Sequence, residues 1–284
     1  PIWYQIRLNG RIPAIPSHLS RALDLRTGLL TFRYRLSIAD DWVDVQEQRF
    51  FSLAKPSFLF QRLEFQGRGQ VELLAGIAPQ SRNSPIPDDQ VKENTQIIQM
   101  TRFCSGEATD AGFTARYKTN HTRLELAQTV SCRTEGFSSP AFVADTGDGV
   151  GVRCTSDASD APIALEIAAR LTSSRDVDPL LQLDVEPGWD FVSALAENQA
   201  AWEQKWADCD IVMEGDDDAQ TALRYVIYQL AANCSPRDHT VSIGARGLTH
   251  TRYKGCYFWD TDLFLTPFYD LTDPQAARSL AGFR

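Results

Sequence analysis

The feature that most limits the fold of this chain is an alternation of apolar and polar residues in short runs before residue 188. In the clearest run, residues 30–37 read Leu-Thr-Phe-Arg-Tyr-Arg-Leu-Ser. Side chains of a strand point to opposite faces in turn, so this run predicts a strand with one solvated face. Similar runs lie at residues 42–53, 59–65, 71–74, 95–103, 112–118, 123–131, 141–144 and 161–171. Many strands without intervening helices predict a large antiparallel sandwich.

The character of the sequence changes after Pro187-Gly188, where apolar residues begin to recur at helical spacing. The first helical stripe contains Phe191, Leu195, Asn198, Trp202 and Trp206. We therefore predict a β-domain over residues 1–188, whose first strand we expect to start upstream of the chain, a helical linker over 189–212, and the beginning of a helical domain over 213–284. The helical part alone is too short to close a core.

A glycine-rich, then aromatic, then acidic stretch lies near the C-terminus, at residues 242–249 and 253–262. Its second half reads Tyr-Lys-Gly-Cys-Tyr-Phe-Trp-Asp-Thr-Asp and opens a helical pattern. A flat aromatic ring beside a carboxylate, here Trp259 and Asp260, suits a sugar ring and its hydroxyl groups. The structural alternative is a buried tryptophan beside an aspartate that caps the helix, with Asp260 or Thr261 as the cap.

Composition excludes several classes of function. The net charge of −9 disfavours nucleic-acid binding, which usually needs a basic face. No apolar run reaches the roughly 18 residues of a membrane span, so we expect no membrane partner. The six cysteines are scattered and none has Cys-x-x-Cys spacing, so we expect reduced thiols, no metal site and a cytoplasmic location.

The C-terminal motifs resemble those of glycoside hydrolase family 65, which includes maltose, trehalose, kojibiose and nigerose phosphorylases and acid trehalases. The resemblance is sharpest at residues 242–249 and 253–262 with Pro267-Phe268, and it extends to residues 223–230, 23–30 and 48–52 and to the linker tryptophans. It implies a β-super-sandwich, a helical linker and the first helices of an (α/α)6 barrel, in a chain that looks truncated.

The resemblance also implies which residues bind substrate. The family's Trp-Asp pair holds the glucosyl unit, and Trp259 and Asp260 stand at those positions. Arg246, Tyr253 and Lys254 flank them and are weaker candidates for shaping the pocket. The sequence departs from the family pattern twice. Cys256 stands where histidine is common, and Asp262 where glutamate is common, which puts the substrate, or activity itself, in doubt.

The reaction implied is inverting cleavage of an α-linked glucose disaccharide or oligosaccharide, with inorganic phosphate as co-substrate and no other cofactor. Inversion needs a general acid, and in a hydrolase also a second carboxylate that activates water. The family's general acid lies beyond residue 284, so we assign no catalytic residue to this chain and expect it to be inactive alone.

We expect the rest of the catalytic domain, and a second copy in a homodimer, as partners. Two alternatives stay open: a hydrolase of the same family, and a non-catalytic carbohydrate-binding or structural fragment.

Overall fold

The computed structural model describes residues 2–16, 18–77, 101–143, 150–176, 184–247 and 256–284. Within these ranges eleven strands precede all the helices, which confirms the predicted order of an antiparallel sandwich followed by helices. The strands are β1 Ile2–Leu8, β2 Leu19–Asp24, β3 Leu29–Ile38, β4 Asp41–Phe51, β5 Phe58–Ile77, β6 Thr101–Thr109, β7 Gly112–Thr119, β8 Glu125–Glu135, β9 Ser138–Val143, β10 Val150–Ala158 and β11 Ile163–Ser173.

Strand β5 belongs to two sheets. Its first half continues the order β2-β3-β4-β5-β11-β8-β7-β6, and its second half pairs with β1 and β10, to which β9 is added. The sequence predicts a turn at residues 67–69, and this prediction is wrong, because β5 runs through them for 20 residues. Gly67 has φ +151° and a Cβ there would lie 2.3 Å from the Trp42 carbonyl oxygen, so glycine lets the strand bend instead of ending.

The two sheets enclose one hydrophobic core. Leu8 and Leu73 from one sheet and Val43, Leu63 and Leu165 from the other are completely buried in it. The alternation predicted for β3 holds from Phe32 to Leu36, with arginines 33 and 35 exposed. The alternation of apolar and polar residues therefore directs one face of β3 into the core, as expected for a strand of a sandwich.

A second apolar cluster lies where the helix α1, Phe191–Cys209, begins. Phe191 packs against Phe50, Phe58 and Phe60 of β4 and β5, and its ring centroid is 5.5 Å from that of Phe50. Asn198 is fully buried, accepts a hydrogen bond from the Leu53 amide at 2.8 Å and donates to the Thr27 carbonyl at 2.6 Å. The start of α1 is therefore bound to the sheet by both apolar and polar contacts.

The later helices are α2 Asp217–Asn233, a π-helical turn Thr261–Leu265, α3 Thr266–Thr272 and α4 Pro274–Phe283. Asp216 caps α2 by accepting from the Ala219 amide at 2.9 Å, and Trp202 stacks on Tyr228 with ring centroids 5.0 Å apart. Helical spacing predicts a buried stripe of Leu223, Val226, Ile227 and Leu230 on α2. Ile227 is buried as predicted, but Val226 is 53 % exposed, and Ala231 is the other buried residue of the helix.

The described residues form two compact units that divide within α1, between Gln199 and Ala200. The domain boundaries at residues 188 and 212 stay predictions. The sheet unit contains all eleven strands, and the helical unit contains α2, the π-helical turn, α3 and α4. None of the helices described is long and apolar enough to cross a membrane.

Candidate functional site

The predicted Trp-Asp pair stands at the entrance of the π-helical turn. Helical structure begins at Asp260, and the amides of Asp262 and Leu263 donate to the Trp259 carbonyl at 3.0 and 3.2 Å. A π-helical turn widens the backbone by one residue and occurs often at functional sites. The Trp259 side chain is 62 % exposed and Asp260 is exposed beside it.

The structural alternative for this pair does not fit the geometry. Trp259 is not buried, and the Asp260 side chain makes no cap hydrogen bond to the helix that it precedes. Asp260 itself has helical backbone angles, φ −54° and ψ −38°, whereas a capping residue is extended. Among the described residues none donates a hydrogen bond to the Asp260 carboxylate, so its oxygens are open to an outside donor.

The turn that carries Arg246 is tied to the same helix start. Gly247 donates its amide to the Gly244 carbonyl at 2.8 Å, and its φ is +55°. A Cβ at Gly247 would lie 2.3 Å from the Asn233 side-chain oxygen, so glycine lets this turn approach Asn233 closely. The buried Thr261 hydroxyl donates to the Ile243 carbonyl at 2.9 Å. This hydrogen bond connects Ile243, which lies three residues before Arg246, to Thr261, which directly follows Asp260. Arg246 is exposed.

The two acidic residues of the motif differ in their surroundings. Arg284 donates to the Asp262 carboxylate at 2.7 Å and to the Phe258 carbonyl at 2.6 Å, and the Asp262 side chain is 38 % exposed. Asp262 therefore holds the end of α4 against the turn, whereas Asp260 stays available. Side chains two residues apart on a helix are expected to point to different sides, so sequence spacing separates these carboxylates, but it does not reveal the Arg284 contact.

An aromatic neighbour of Trp259 was not recognised as a site residue from the sequence. Phe264 is 65 % exposed, and its ring centroid lies 6.1 Å from that of Trp259 at an angle of 39°. Leu263 is also 57 % exposed, so the apolar residues of this pattern do not all face the core. The π-helical turn explains the difference, because it shifts the spacing from the regular helical period.

Buried contacts below the turn hold the helices together. The Tyr269 hydroxyl donates to the Leu230 carbonyl at 2.7 Å, and burial raises the pKa of Tyr269. Asp273 accepts from the Ala276 amide at 3.0 Å and pairs with Lys205 at 2.5 Å. An aspartate followed by proline predicts a cap and a first helical residue, and the structure confirms this start of α4. These contacts give the exposed pair Trp259 and Asp260 a rigid support.

Two candidates, Tyr253 and Lys254, lie outside the described residues. Cys256 is exposed and has a free thiol. Within the described ranges, no three His, Cys, Asp or Glu side chains come close enough together to hold a metal ion.

Comparison with solved structures shows the fold. The structure "Putative kojibiose phosphorylase from human microbiome" superposes with a TM-score of 0.80 over 99 % of this chain, at 18 % identity. This chain spans 38 % of the length of that protein.

Two curated relatives are similar in sequence over shorter segments. A kojibiose phosphorylase of Caldanaerobacter subterraneus subsp. tengcongensis is 42 % identical over 119 residues, which are 39 % of this chain and 15 % of that enzyme. A nigerose phosphorylase of Lachnoclostridium phytofermentans is 40 % identical over 88 residues, or 31 % of this chain and 12 % of that enzyme.

Two family models match consecutive parts of the sequence. The model described as "Glycosyl hydrolase family 65, N-terminal domain" matches residues 13–205, and the model described as "Glycosyl hydrolase family 65 central catalytic domain" matches residues 224–284. The second match contains Trp259 and Asp260, and the first covers more than half of the chain. The chain belongs to glycosyl hydrolase family 65.

Proposed function

We propose that this chain is part of an enzyme that cleaves the α-glucosidic bond of a glucose disaccharide by phosphorolysis, with kojibiose as the first substrate to test. The observation that carries the proposal is the exposed Trp259 ring beside the open carboxylate of Asp260. Both lie in the segment that matches the family's central catalytic domain. Relatives of 37–42 % identity include kojibiose phosphorylases and a nigerose phosphorylase, which supports this choice of substrate.

In this proposal each site residue has a binding role. The Trp259 ring stacks on the apolar face of the glucosyl unit, and Asp260 accepts hydrogen bonds from its hydroxyl groups. Charge-assisted hydrogen bonds of this kind are about twice as strong as neutral ones, so Asp260 dominates the affinity. We expect Arg246, Tyr253 and Lys254 to contribute to sugar binding, as the resemblance of their motif to the family implies.

The reaction balances without a second carboxylate. An oxygen of inorganic phosphate attacks the anomeric carbon, the bond from that carbon to the glycosidic oxygen breaks, and a general acid gives its proton to the leaving oxygen. The products are glucose 1-phosphate and glucose, and the configuration at the anomeric carbon is inverted. We assign neither the general acid nor the phosphate site to residues 1–284, and we expect the chain alone to be inactive.

The test is a product assay on the complete enzyme and on this chain, with and without phosphate. Kojibiose, nigerose, maltose and trehalose are the substrates. We expect the complete enzyme to release glucose 1-phosphate only when phosphate is present. Free glucose formed at the same rate without phosphate would establish a hydrolase instead, and sugar binding without any product would establish a non-catalytic carbohydrate-binding protein.

The site assignment is tested with the substitution Asp260→Ala in the complete enzyme. We expect kcat/KM to fall at least about a hundredfold, as when a charged hydrogen-bond partner is lost from a binding site. Asp270→Ala is the control, because Asp270 is an exposed carboxylate on the neighbouring helix α3. Near-normal turnover of the Asp260→Ala enzyme would overturn the assignment.

A further inference from the structure

A cavity in the sheet unit has no part in the function proposed above. It lies between β1 on one side and β3 and β4 on the other, and its volume is about 410 Å³. Pockets that hold small molecules have volumes of about 300–1,000 Å³, mostly apolar walls and a few polar groups. The apolar walls include Ile6, Phe32 and Leu36, and the polar groups include Glu47 and Arg49.

The segment Ile12–Pro16 borders the opening of the cavity without packing firmly against it. It contains neither helix nor strand, and Ile12 and Ile15 are 62 % and 94 % exposed. The exposed isoleucines beside the opening therefore provide apolar surface for a ligand that enters the cavity.

The floor of the cavity is a buried carboxylate held by three strands. Glu47 is 3 % exposed and accepts hydrogen bonds from the Tyr4 hydroxyl at 2.5 Å and from the Gln61 amide at 3.0 Å. Arg49 pairs with the same carboxylate at 3.3 Å. Burying such a charge costs free energy that an apolar residue would avoid, so the cluster is not explained by stability alone.

The two tyrosines of the floor remain protonated hydroxyl donors. Burial raises the pKa of Tyr4, and the hydrogen bond to Glu47 raises it further. Burial also raises the pKa of Tyr34. The only described hydrogen-bond contact of the Tyr34 hydroxyl is to Tyr4 at 3.5 Å, the limit of such a bond. Tyr34 is therefore the polar group of the floor with the most capacity left for a ligand.

These charges select against three classes of ligand. The Glu47 carboxylate and the Arg49 guanidinium pair at 3.3 Å, so their charges compensate each other and the floor offers no excess charge to an anion or a cation. A pure hydrocarbon would cover the Tyr34 hydroxyl and leave it without a good partner, which costs free energy. A neutral molecule that combines an apolar ring face with several hydroxyl groups meets neither penalty.

We propose that this cavity binds a neutral sugar unit, with Phe32 and Ile6 against its ring and Glu47 and Tyr34 bonded to its hydroxyl groups. All of these residues belong to the sheet unit. The proposal makes this part of the chain a carbohydrate-binding module in its own right. It does not depend on the roles proposed for Trp259 and Asp260.

The experiment uses the double variant Trp259→Ala with Asp260→Ala, which removes the other proposed sugar site through two exposed side chains. Glucose and kojibiose are titrated into this chain and followed by calorimetry and by ligand-detected NMR. We expect one sugar site to remain. Sugar binding that disappears completely in the double variant would overturn the proposal, and this result would leave the function proposed for Asp260 intact.

Two further substitutions in that background identify the site. Tyr34→Phe removes one oxygen with a single weak contact, and we expect it to raise the dissociation constant for the sugar about threefold to tenfold. Tyr225→Phe is the matched control, because Tyr225 is a half-exposed tyrosine on α2. Equal affinity of the Tyr34→Phe and Tyr225→Phe chains would overturn the proposal. Glu47→Gln should weaken binding further, and if that chain fails to fold, Tyr34→Phe alone decides.

Discussion

A carboxylate of the sheet unit and a carboxylate of the helical unit differ in burial and in hydrogen bonding. In the sheet unit Glu166 is 2 % exposed and accepts hydrogen bonds from the Arg62 guanidinium and from the Phe191 amide. In the helical unit Asp260 is exposed, with no described donor. A buried carboxylate without partners would be too costly, whereas an exposed one is free to bind a ligand. Environment, more than residue type, therefore separates a carboxylate that joins two elements of the fold from one that stays open to solvent.

Tryptophans give the same contrast within the helical unit. Trp202 is 4 % exposed and stacks on Tyr228, whereas Trp259 is 62 % exposed and, among the described residues, its ring neighbour is the tilted Phe264. Both tryptophans belong to helical patterns in the sequence. Only the contacts show that Trp202 holds α1 and α2 together and that Trp259 presents its face outward.

The largest effect on stability is expected from a substitution of Trp202, and Trp259 provides the comparison. Trp202→Ala should lower the free energy of unfolding by about 3–5 kcal/mol, because it leaves a cavity between two helices. Trp259→Ala should lower it by less than about 1 kcal/mol, because most of that ring is already in water. Urea unfolding of this chain, followed by circular dichroism, measures both. Equal losses would mean that Trp259 is a core residue, and the contrast between the two would fail.

The next effect concerns the buried carboxylate of the sheet unit. Glu166 accepts from Arg62 and from the Phe191 amide, the latter at 3.2 Å, so it ties the start of α1 to β11. Glu166→Ala should cost about 3 kcal/mol, since it leaves Arg62 with fewer partners and the helix start without an acceptor. Glu135→Ala is the control: Glu135 pairs with the same arginine at 2.9 Å, but its side chain is 53 % exposed.

For the Glu135→Ala chain we expect a loss below about 1 kcal/mol, as is usual for exposed ion pairs. The two chains are compared by urea unfolding at the same ionic strength. A loss from Glu135→Ala as large as that from Glu166→Ala would show that Arg62, and not the burial of Glu166, determines the stability of this contact.

A smaller effect that depends on pH is expected at Asp273 in the helical unit. Burial acts to raise the pKa of Asp273, but the hydrogen bonds from Lys205 and from the Ala276 amide outweigh it and hold the pKa below its usual range. A lowered pKa stabilises the fold above the unfolded value, about 3.9, and this contribution is lost as the pH falls through the folded pKa. Asp273→Ala should therefore cost about 2 kcal/mol at neutral pH, and the difference from wild type should shrink below about pH 4.

The control for this prediction is Asp216→Ala. Asp216 also caps a helix, through the Ala219 amide, but none of the described cations pairs with it. Its loss should cost about 1 kcal/mol at neutral pH, as for a cap alone. The measurement is the urea midpoint of each chain from pH 3 to pH 7. A difference for Asp273→Ala that stays constant over this range would contradict the argument.

Local patterns predicted the parts of this fold that depend on neighbouring residues. Alternation placed β7 at residues 112–118, and the structure has it at Gly112–Thr119. The Asp273-Pro274 pair predicted the start of α4. These succeed because strand alternation and helix capping depend on a few consecutive residues. The path of β5 through Gly67 was not predictable, because a glycine permits both a turn and a bend, and only the second sheet selects between them.

The candidate sites show the same limit. The sequence identified Trp259 and Asp260, but their exposure followed only from the structure. The cluster in the sheet unit could not be predicted at all, because Glu47 meets Tyr4 across 43 positions of the chain and Gln61 across 14. No periodicity within one strand shows that these residues converge, since the contact depends on how two sheets are stacked.

A small change in stability together with a local effect on the site is expected from Thr261→Val. Valine keeps the shape but removes the buried hydroxyl that donates to the Ile243 carbonyl at 2.9 Å. The loss should be about 1 kcal/mol of unfolding free energy, and kcat/KM of the complete enzyme should fall about threefold to tenfold, because the turn of Arg246 loses its tie to the Asp260 helix. Thr266→Val is the control, since its hydroxyl bonds within the same helical segment, to the Thr261 carbonyl at 3.2 Å. Equal effects on kcat/KM would show that the tie between the turn and the helix does not position the site.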